Sequence, residues 1–138
     1  MKELNYPNWL VPLEIAEKLK GINFNLECYF YREEGRSGDD LIKSPFSLSN
    51  EVLRNYNKSR YDTSTSLPTW EQAFEWFRGK GLYHSICFTD DLPHEVKFFE
   101  AEIRDKNADI ICIINRLTYE EVRGALLNKL IEIYENNI

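Results

Sequence analysis

The chain has 138 residues, 43% of them hydrophobic and 14% aromatic, and a formal net charge of −6. This length suits one domain with its own core, and the acidic balance argues against a broad phosphate-binding surface. Cys28, Cys87 and Cys112 form no CxxC pair, which argues against a cysteine zinc site or disulfide framework and indicates a reducing cytoplasm. The N-terminal residues contain neither a signal-peptide core nor a spanning segment, so we expect no membrane association.

The first half of the chain predicts one helix, one strand and a long irregular segment. Apolar residues at helical spacing after Pro12, with Gly21 as the stop, predict a helix over residues 12–20. The alternating residues 26–33, LECYFYRE, predict a strand. Residues 35–68 are rich in Ser, Asn, Asp and Gly and lack a sustained period, so they are predicted to be irregular.

The stretch PTWEQAFEWFRGKG, residues 68–81, predicts a helix with marked ends. Thr69 and Gln72 have the spacing of a capping box, and Gly79 and Gly81 supply permissive backbone at the other end. Four apolar residues form the stripe that faces the core: Trp70, Ala73, Phe74 and Phe77. Trp76 falls on the flank of that stripe.

Three strands with short, turn-rich links follow, at residues 82–89, 96–105 and 110–114. The last of them, IICII, is a continuous apolar run and predicts a buried central strand. Thr118 and Glu121 form a second capping box at the start of the final helix. Short links imply antiparallel pairing. We therefore predict a single α+β domain in which about three helices pack on one antiparallel sheet of about four strands.

The sequence contains no GxSxG, P-loop, GxGxxG or HExxH motif, so it predicts no catalytic residue and no cofactor. One stretch, HSICFTDDLPH, gathers four potential metal ligands or acid-base groups: His84, Asp90, Asp91 and His94. A small hydrolase or metal-dependent enzyme that uses them is the alternative hypothesis. On a strand, however, His84 shares a face with Ile86 and Phe88, which favours a strand followed by a polar turn.

A basic stretch, RNYNKSRY, contains Arg54, Lys58 and Arg60 interleaved with Tyr56 and Tyr61. Such a stretch can hold phosphates and stack a base. In an acidic chain it is more often a solvated surface. Weak nucleic-acid binding through this loop is therefore a second alternative, and nucleic acid is not the expected partner.

Three segments carry a resemblance to a known group of proteins. They are LVPLEIAEKLKGINF running into ECYFYRE, then PTWEQAFEWFRGKG, and finally LTYEEVRGALLNKLIEI. In this order they resemble the small uncharacterised proteins of phages, prophages and related mobile elements of Bacteroidetes. In that group the WFR of the middle helix is followed by Glu-Lys, whereas here Arg78 is followed by Gly79 and Lys80. The resemblance implies a mobile-element origin and a compact α+β fold, and it carries no activity, ligand or catalytic residue.

We expect a non-catalytic cytoplasmic protein, of phage or mobile-element type, that acts by binding another protein. Aromatic side chains dominate protein interfaces, and the candidates for such contacts are Trp76, Trp9 and Tyr56. The competing interpretation is that these rings cover the core of their own chain. The sequence leaves a homo-oligomer open.

Overall fold

The computed structural model describes residues 7–34, 40–43, 55, 57, 64–91 and 96–137, with the backbone alone for residues 33, 34, 40–43 and 91. The chain divides into two compact units, Met1–Trp76 and Phe77–Ile138. That the chain forms a single domain therefore stays a prediction. Within the described residues, no helix combines the length and the apolar character needed to cross a membrane.

The first unit contains one complete helix, a three-stranded sheet and the first part of a second helix. Its elements are α1 (Leu13–Gly21), β1 (Phe30–Glu34), β2 (Asp40–Lys43) and β3 (Ser64–Leu67). The strand order is β2-β1-β3, and β1 pairs antiparallel with both neighbours. The helix buries Ile15, Ala16 and Leu19 and contacts β3. Lys20 stabilises this contact, because its Nζ donates a 2.7 Å hydrogen bond to the carbonyl of Ser64.

The segment 35–68 is not irregular throughout, because it contains β2 and β3. The sequence STSL of β3 is polar, yet all four residues are buried. Strands of four residues leave little hydrophobic period to detect, and pairing with β1 decides their structure. The prediction of a continuous irregular segment was therefore wrong at these two places.

Helix α2 (Trp70–Gly79) has the predicted ends. The backbone N–H of Thr69 donates to Gln72 Oε1 at 2.8 Å, and the N–H of Gln72 donates to Thr69 Oγ1 at 3.1 Å. This reciprocal pair confirms the first capping box. At the C-terminal end Gly81 adopts a φ of 84° and donates to the Arg78 carbonyl, while Leu82 donates to that of Phe77. This is a Schellman motif, so Gly81 is the terminating glycine and Gly79 is still helical.

The second unit contains a three-stranded sheet covered by one long helix. After the end of α2, its elements are β4 (Tyr83–Asp91), β5 (Val96–Arg104), β6 (Ile110–Arg116) and α3 (Tyr119–Asn136). The order is β4-β5-β6, and both pairings are antiparallel. Helix α3 packs on β5 and β6. Ala101 and Ile103 of β5 and Val122, Leu126 and Leu130 of α3 are fully buried.

The α+β class, the antiparallel pairing and the three helices of the prediction are confirmed for the described part of the chain. The sheet differs from the prediction, because six described strands form two three-stranded sheets rather than about four strands forming one. The predicted central position of IICII was wrong. Strand β6 lies at an edge of its sheet, and Ile110, Ile111 and Ile113 are 49%, 43% and 51% exposed.

Candidate functional site

An open groove of about 740 Å³ runs between the outer edge of β6 and one side of α3. The β6 residues that line it are the five consecutive positions from Cys112 to Arg116. Side chains of neighbouring strand residues point to opposite faces of a sheet. Five consecutive residues can therefore line one groove only if the groove follows the edge of the strand. At an edge, the backbone groups of alternate residues point away from the sheet.

A β-bulge fixes the length of regular edge that the groove offers. The pairing of β5 with β6 shifts between Ile103, which faces Cys112, and Arg104, which faces Ile110. Ile111 is thus the extra residue, and the regular part of the edge begins at Cys112. Bulges commonly end the stretch over which an edge can pair. The regular edge and the floor of the groove are therefore the same five residues.

The wall of the groove is a helical stripe on α3. Its members lie three or four residues apart or next to one another: Glu121, Ala125, Asn128, Lys129 and Glu132. Thr118 starts this helix as predicted, since its Oγ1 accepts from the Glu121 N–H at 3.1 Å. The hydroxyl of Thr118 also donates to Glu121 Oε1 at 2.9 Å, which orients that carboxylate. The capping interaction thus positions a charged group of the wall.

The charges along the groove cancel. One end holds Arg116 and Glu121, which are joined by the short link from β6 to α3. The other end holds Lys129 and Glu132, whose side chains form a 3.1 Å ion pair. Each end thus carries one positive and one negative group, and the floor between them is apolar or uncharged. The groove suits an uncharged occupant better than an acidic or a basic one.

A second, shallower depression of about 240 Å³ adjoins the first at Asn115 and Arg116. Its other lining residues are Val96, Phe98 and Leu117, and Leu117 is 71% exposed. The pairing places Ile113 opposite Glu102, on the sheet face away from the buried Ala101 and Ile103. Exposed apolar side chains therefore continue from the edge of β6 onto the sheet face that α3 leaves uncovered.

Of the three predicted contact residues, Trp76 is only 7% exposed. Its ring packs against Phe24 with the centroids 5.4 Å apart, so it belongs to the core, as the competing interpretation held. Trp9 is 48% exposed and rests edge-on against Phe30, 5.1 Å away. Tyr56 lies outside the described residues.

The residues of the metal or hydrolase alternative are not brought together where they are described. His84 and Asp90 lie on the same strand, six residues and therefore about 20 Å apart. His84 faces Ile103, which in turn faces Cys112, so Ile103 separates that histidine from Cys112. His94 and the side chain of Asp91 lie outside the described residues. The described residues hold no group of three or more potential metal ligands.

The basic residues of the nucleic-acid alternative, Arg54, Lys58 and Arg60, also lie outside the described residues. Cys28, predicted as a small buried hydrophobe, is fully buried. Burial raises the pKa of its thiol to about 12, against a smaller opposing effect of the hydrogen bond with Ser66. Its thiolate, the nucleophilic form, is thus disfavoured near neutral pH.

Sequence reasoning missed the edge of β6 as a candidate site. The apolar run IICII indicated a strand correctly, but the buried central position predicted from it was wrong. One available signal was the order of elements, because β6 is the last of three successive strands and is followed directly by a helix. A strand in that place lies at an edge unless a distant segment joins it.

Comparisons of the chain with protein-family models, with curated proteins and with solved structures found no match.

Proposed function

We propose that this chain is a non-catalytic protein-binding module, and that it binds an extended segment of its partner along the edge of β6. The observation that carries the proposal is the groove between β6 and α3, whose floor is five consecutive residues of an exposed edge strand. The proposal also includes a phage or mobile-element origin, which rests on the sequence resemblance alone. It includes a cytoplasmic location, which rests on the cysteine usage alone.

The edge of β6 has the properties of a strand acceptor. An added strand gains main-chain hydrogen bonds from the edge, while the alternating side chains supply specificity. Proteins usually protect an exposed edge with charges, a proline or a covering element. From Cys112 to Asn115 the regular edge carries no charged side chain and no proline, and its one charge, Arg116, stands at its end. Ile113 is half exposed. An added strand would remove this apolar surface from water.

Helix α3 gives the acceptor a preference among strands. Its stripe forms a wall on one side of the added strand, and the paired charges at the two ends offer no net attraction to a charged segment. A like charge placed against either end would cost binding energy. The partner segment is therefore uncharged, apolar and extended.

The test uses three short synthetic peptides of alternating Val and Thr, flanked by Gln, by Lys or by Glu. We expect the Gln-flanked peptide to bind most tightly in a fluorescence anisotropy titration, and to protect the backbone amides of residues 112–116 from hydrogen exchange. The variant Ile113→Lys should weaken binding at least about tenfold, because a charged edge residue blocks strand addition.

The matched control is Ser85→Lys, which adds the same charge at an exposed position on the other edge strand, β4. This control should bind the Gln-flanked peptide as the unmodified chain does. The proposal is overturned if none of the peptides binds, or if the two lysine variants lose binding equally.

A further inference from the structure

We propose that the strand that β6 accepts is β6 of a second copy of this chain, so that the chain forms a two-fold symmetric dimer. This inference rests on the proposed function, since it names the occupant of the same groove. The dimer would join two three-stranded sheets into one antiparallel sheet of six strands, a common size for sheets. Three independent features of the second unit support it.

The first feature is composition. By two-fold symmetry the occupant of the groove would be the same regular edge of the second copy, residues 112–116, which begins with the apolar run CII and carries a single charge, Arg116, at its end. They are already held in a strand, so an identical strand would lose little conformational entropy on pairing. In an isologous interface each copy offers the same surface. The exposed Ile113 of one copy would be covered by β6 of the other.

The second feature is the position of α3 over the sheet. The helix packs on both β5 and β6, which places its axis near the gap between them. A two-fold axis perpendicular to the sheet keeps both α3 helices on the same face and antiparallel. Their axes would then be separated by two strand spacings, about 10 Å. Packed helices lie about 8–10 Å apart, and the small Ala125 in the groove wall permits this approach.

The third feature is charge complementarity. The two-fold axis brings the Arg116 and Glu121 end of one groove to the Lys129 and Glu132 end of the other. If the helices cross at Ala125, Glu121 and Lys129 are equidistant from the crossing point, four residues on either side. Glu121 of each copy would then face Lys129 of the other. The groove is therefore complementary to itself, whereas an acidic or basic segment would meet a like charge.

Sedimentation of the full chain over a range of concentrations tests the dimer. We expect a concentration-dependent dimer that Ile113→Lys converts to a monomer. Glu121→Lys and Lys129→Glu should each weaken the dimer about tenfold, because each sets like charges opposite one another. An equimolar mixture of these two variants should recover the dimer, since in the mixed pair each Lys again faces a Glu.

Glu120→Lys is the matched control for Glu121→Lys. It makes the same charge change in the same helical turn, at an exposed residue outside the groove, and it should leave the dimer intact. Recovery in the mixture also separates a broken interface from a variant that does not fold. Monomers at every concentration would overturn the inference, as would a dimer that tolerates both Ile113→Lys and the charge reversals.

Peptide binding distinguishes this inference from the proposed function. If the chain is monomeric but the Gln-flanked peptide still binds at β6, the groove accepts a strand from another protein and only the second-copy inference fails. If the chain is monomeric and no peptide binds, both fail. If the chain dimerises and the Gln-flanked peptide also binds at β6, the peptide competes with the second copy. The apparent affinity of the peptide should then fall as the chain concentration rises.

Discussion

The indole N–H of Trp76 donates a 2.7 Å hydrogen bond to the side-chain oxygen of Asn25. This bond joins the flank of α2 to the segment that follows α1, beside the contact between Trp76 and Phe24. The helical position of Trp76 places its ring outside the core stripe of α2, and a different part of the chain buries it. The geometry also separates two contributions of Trp76 to stability, its hydrogen bond and its packing.

Replacing Trp76 should therefore destabilise the fold in two steps. Trp76→Phe keeps most of the ring and loses the hydrogen bond, so we expect a loss of about 1 kcal/mol in the free energy of unfolding. Trp76→Ala also leaves a cavity and should cost about 3–5 kcal/mol. Urea unfolding measures both values.

Trp9→Ala is the matched control, because Trp9 is half exposed. Its loss should be at most about 2 kcal/mol, mainly from the contact with Phe30. A larger effect at Trp9 than at Trp76 would contradict the assignment of Trp76 to the core.

The turn between β5 and β6 contains a residue in a strained conformation. Ala108 has a φ of 67°, a region that costs a residue with a Cβ about 1–2 kcal/mol. Glycine adopts it freely but loses more entropy on folding. We expect Ala108→Gly to raise the free energy of unfolding by about 0.5–1 kcal/mol. Thermal and urea unfolding of this variant give the comparison.

Asn107→Gly is the control for that prediction, since Asn107 lies in the same turn and is not among the residues with positive φ. It keeps the backbone N–H that donates to Asp105 Oδ1 at 2.8 Å. This substitution should leave stability unchanged or lower it. Equal stabilisation by both glycines would show that strain at Ala108 is not the cause.

The buried thiol of Cys28 should make stability depend on alkaline pH. Its pKa is raised from 9.0 to about 12 in the folded chain, so folding favours the protonated form. The resulting stabilisation is fully present below pH 9, where both states are protonated, and is lost as the pH rises towards 12. Between about pH 8 and about pH 10.5 this group should account for a loss of about 2 kcal/mol.

The measurement is urea unfolding at both pH values for the unmodified chain and for Cys28→Ala. The difference between their pH dependences isolates Cys28, because other groups titrate in both proteins. Cys87 is exposed, so an alkylating reagent should modify it in the folded chain, while Cys28 reacts only after unfolding. Equal pH dependence of the two proteins would refute the prediction.

The capping box of α2 should contribute more to stability than that of α3. Thr69 is partly buried, and its exchange with Gln72 satisfies two backbone N–H groups. Thr118 is exposed and accepts from one backbone N–H, that of Glu121. We expect Thr69→Ala to cost about 1–2 kcal/mol and Thr118→Ala about 0.5–1 kcal/mol. Thr→Ser at each position keeps the hydroxyl and should restore most of the loss. The reverse order of the two alanine variants would contradict this ranking.

Much of the local structure could be predicted because it depends on residues close together in the chain. The capping box at Thr69 and the N-cap at Thr118 involve partners three residues away. The pattern of β5 required only that Ala101 and Ile103 alternate with charged neighbours. The short links between the last three strands dictated their antiparallel pairing. Strand β3 was missed because its sequence, STSL, acquires its conformation from pairing with β1, which lies more than thirty residues earlier.

The sequence by itself determined the α+β class, the ends of the helices, the alternation of the last strands and the acidic balance of the chain, because these follow from local propensity and composition. Only the tertiary structure decided that Trp76 is core and that IICII is an edge. Both outcomes depend on which distant segment packs against the residues concerned. Asn25 and Phe24 contact Trp76, whereas no described strand pairs with the outer side of β6. Hydrophobicity predicts that burial of an apolar residue stabilises the protein. Only the tertiary packing decides whether residues of the same chain bury it.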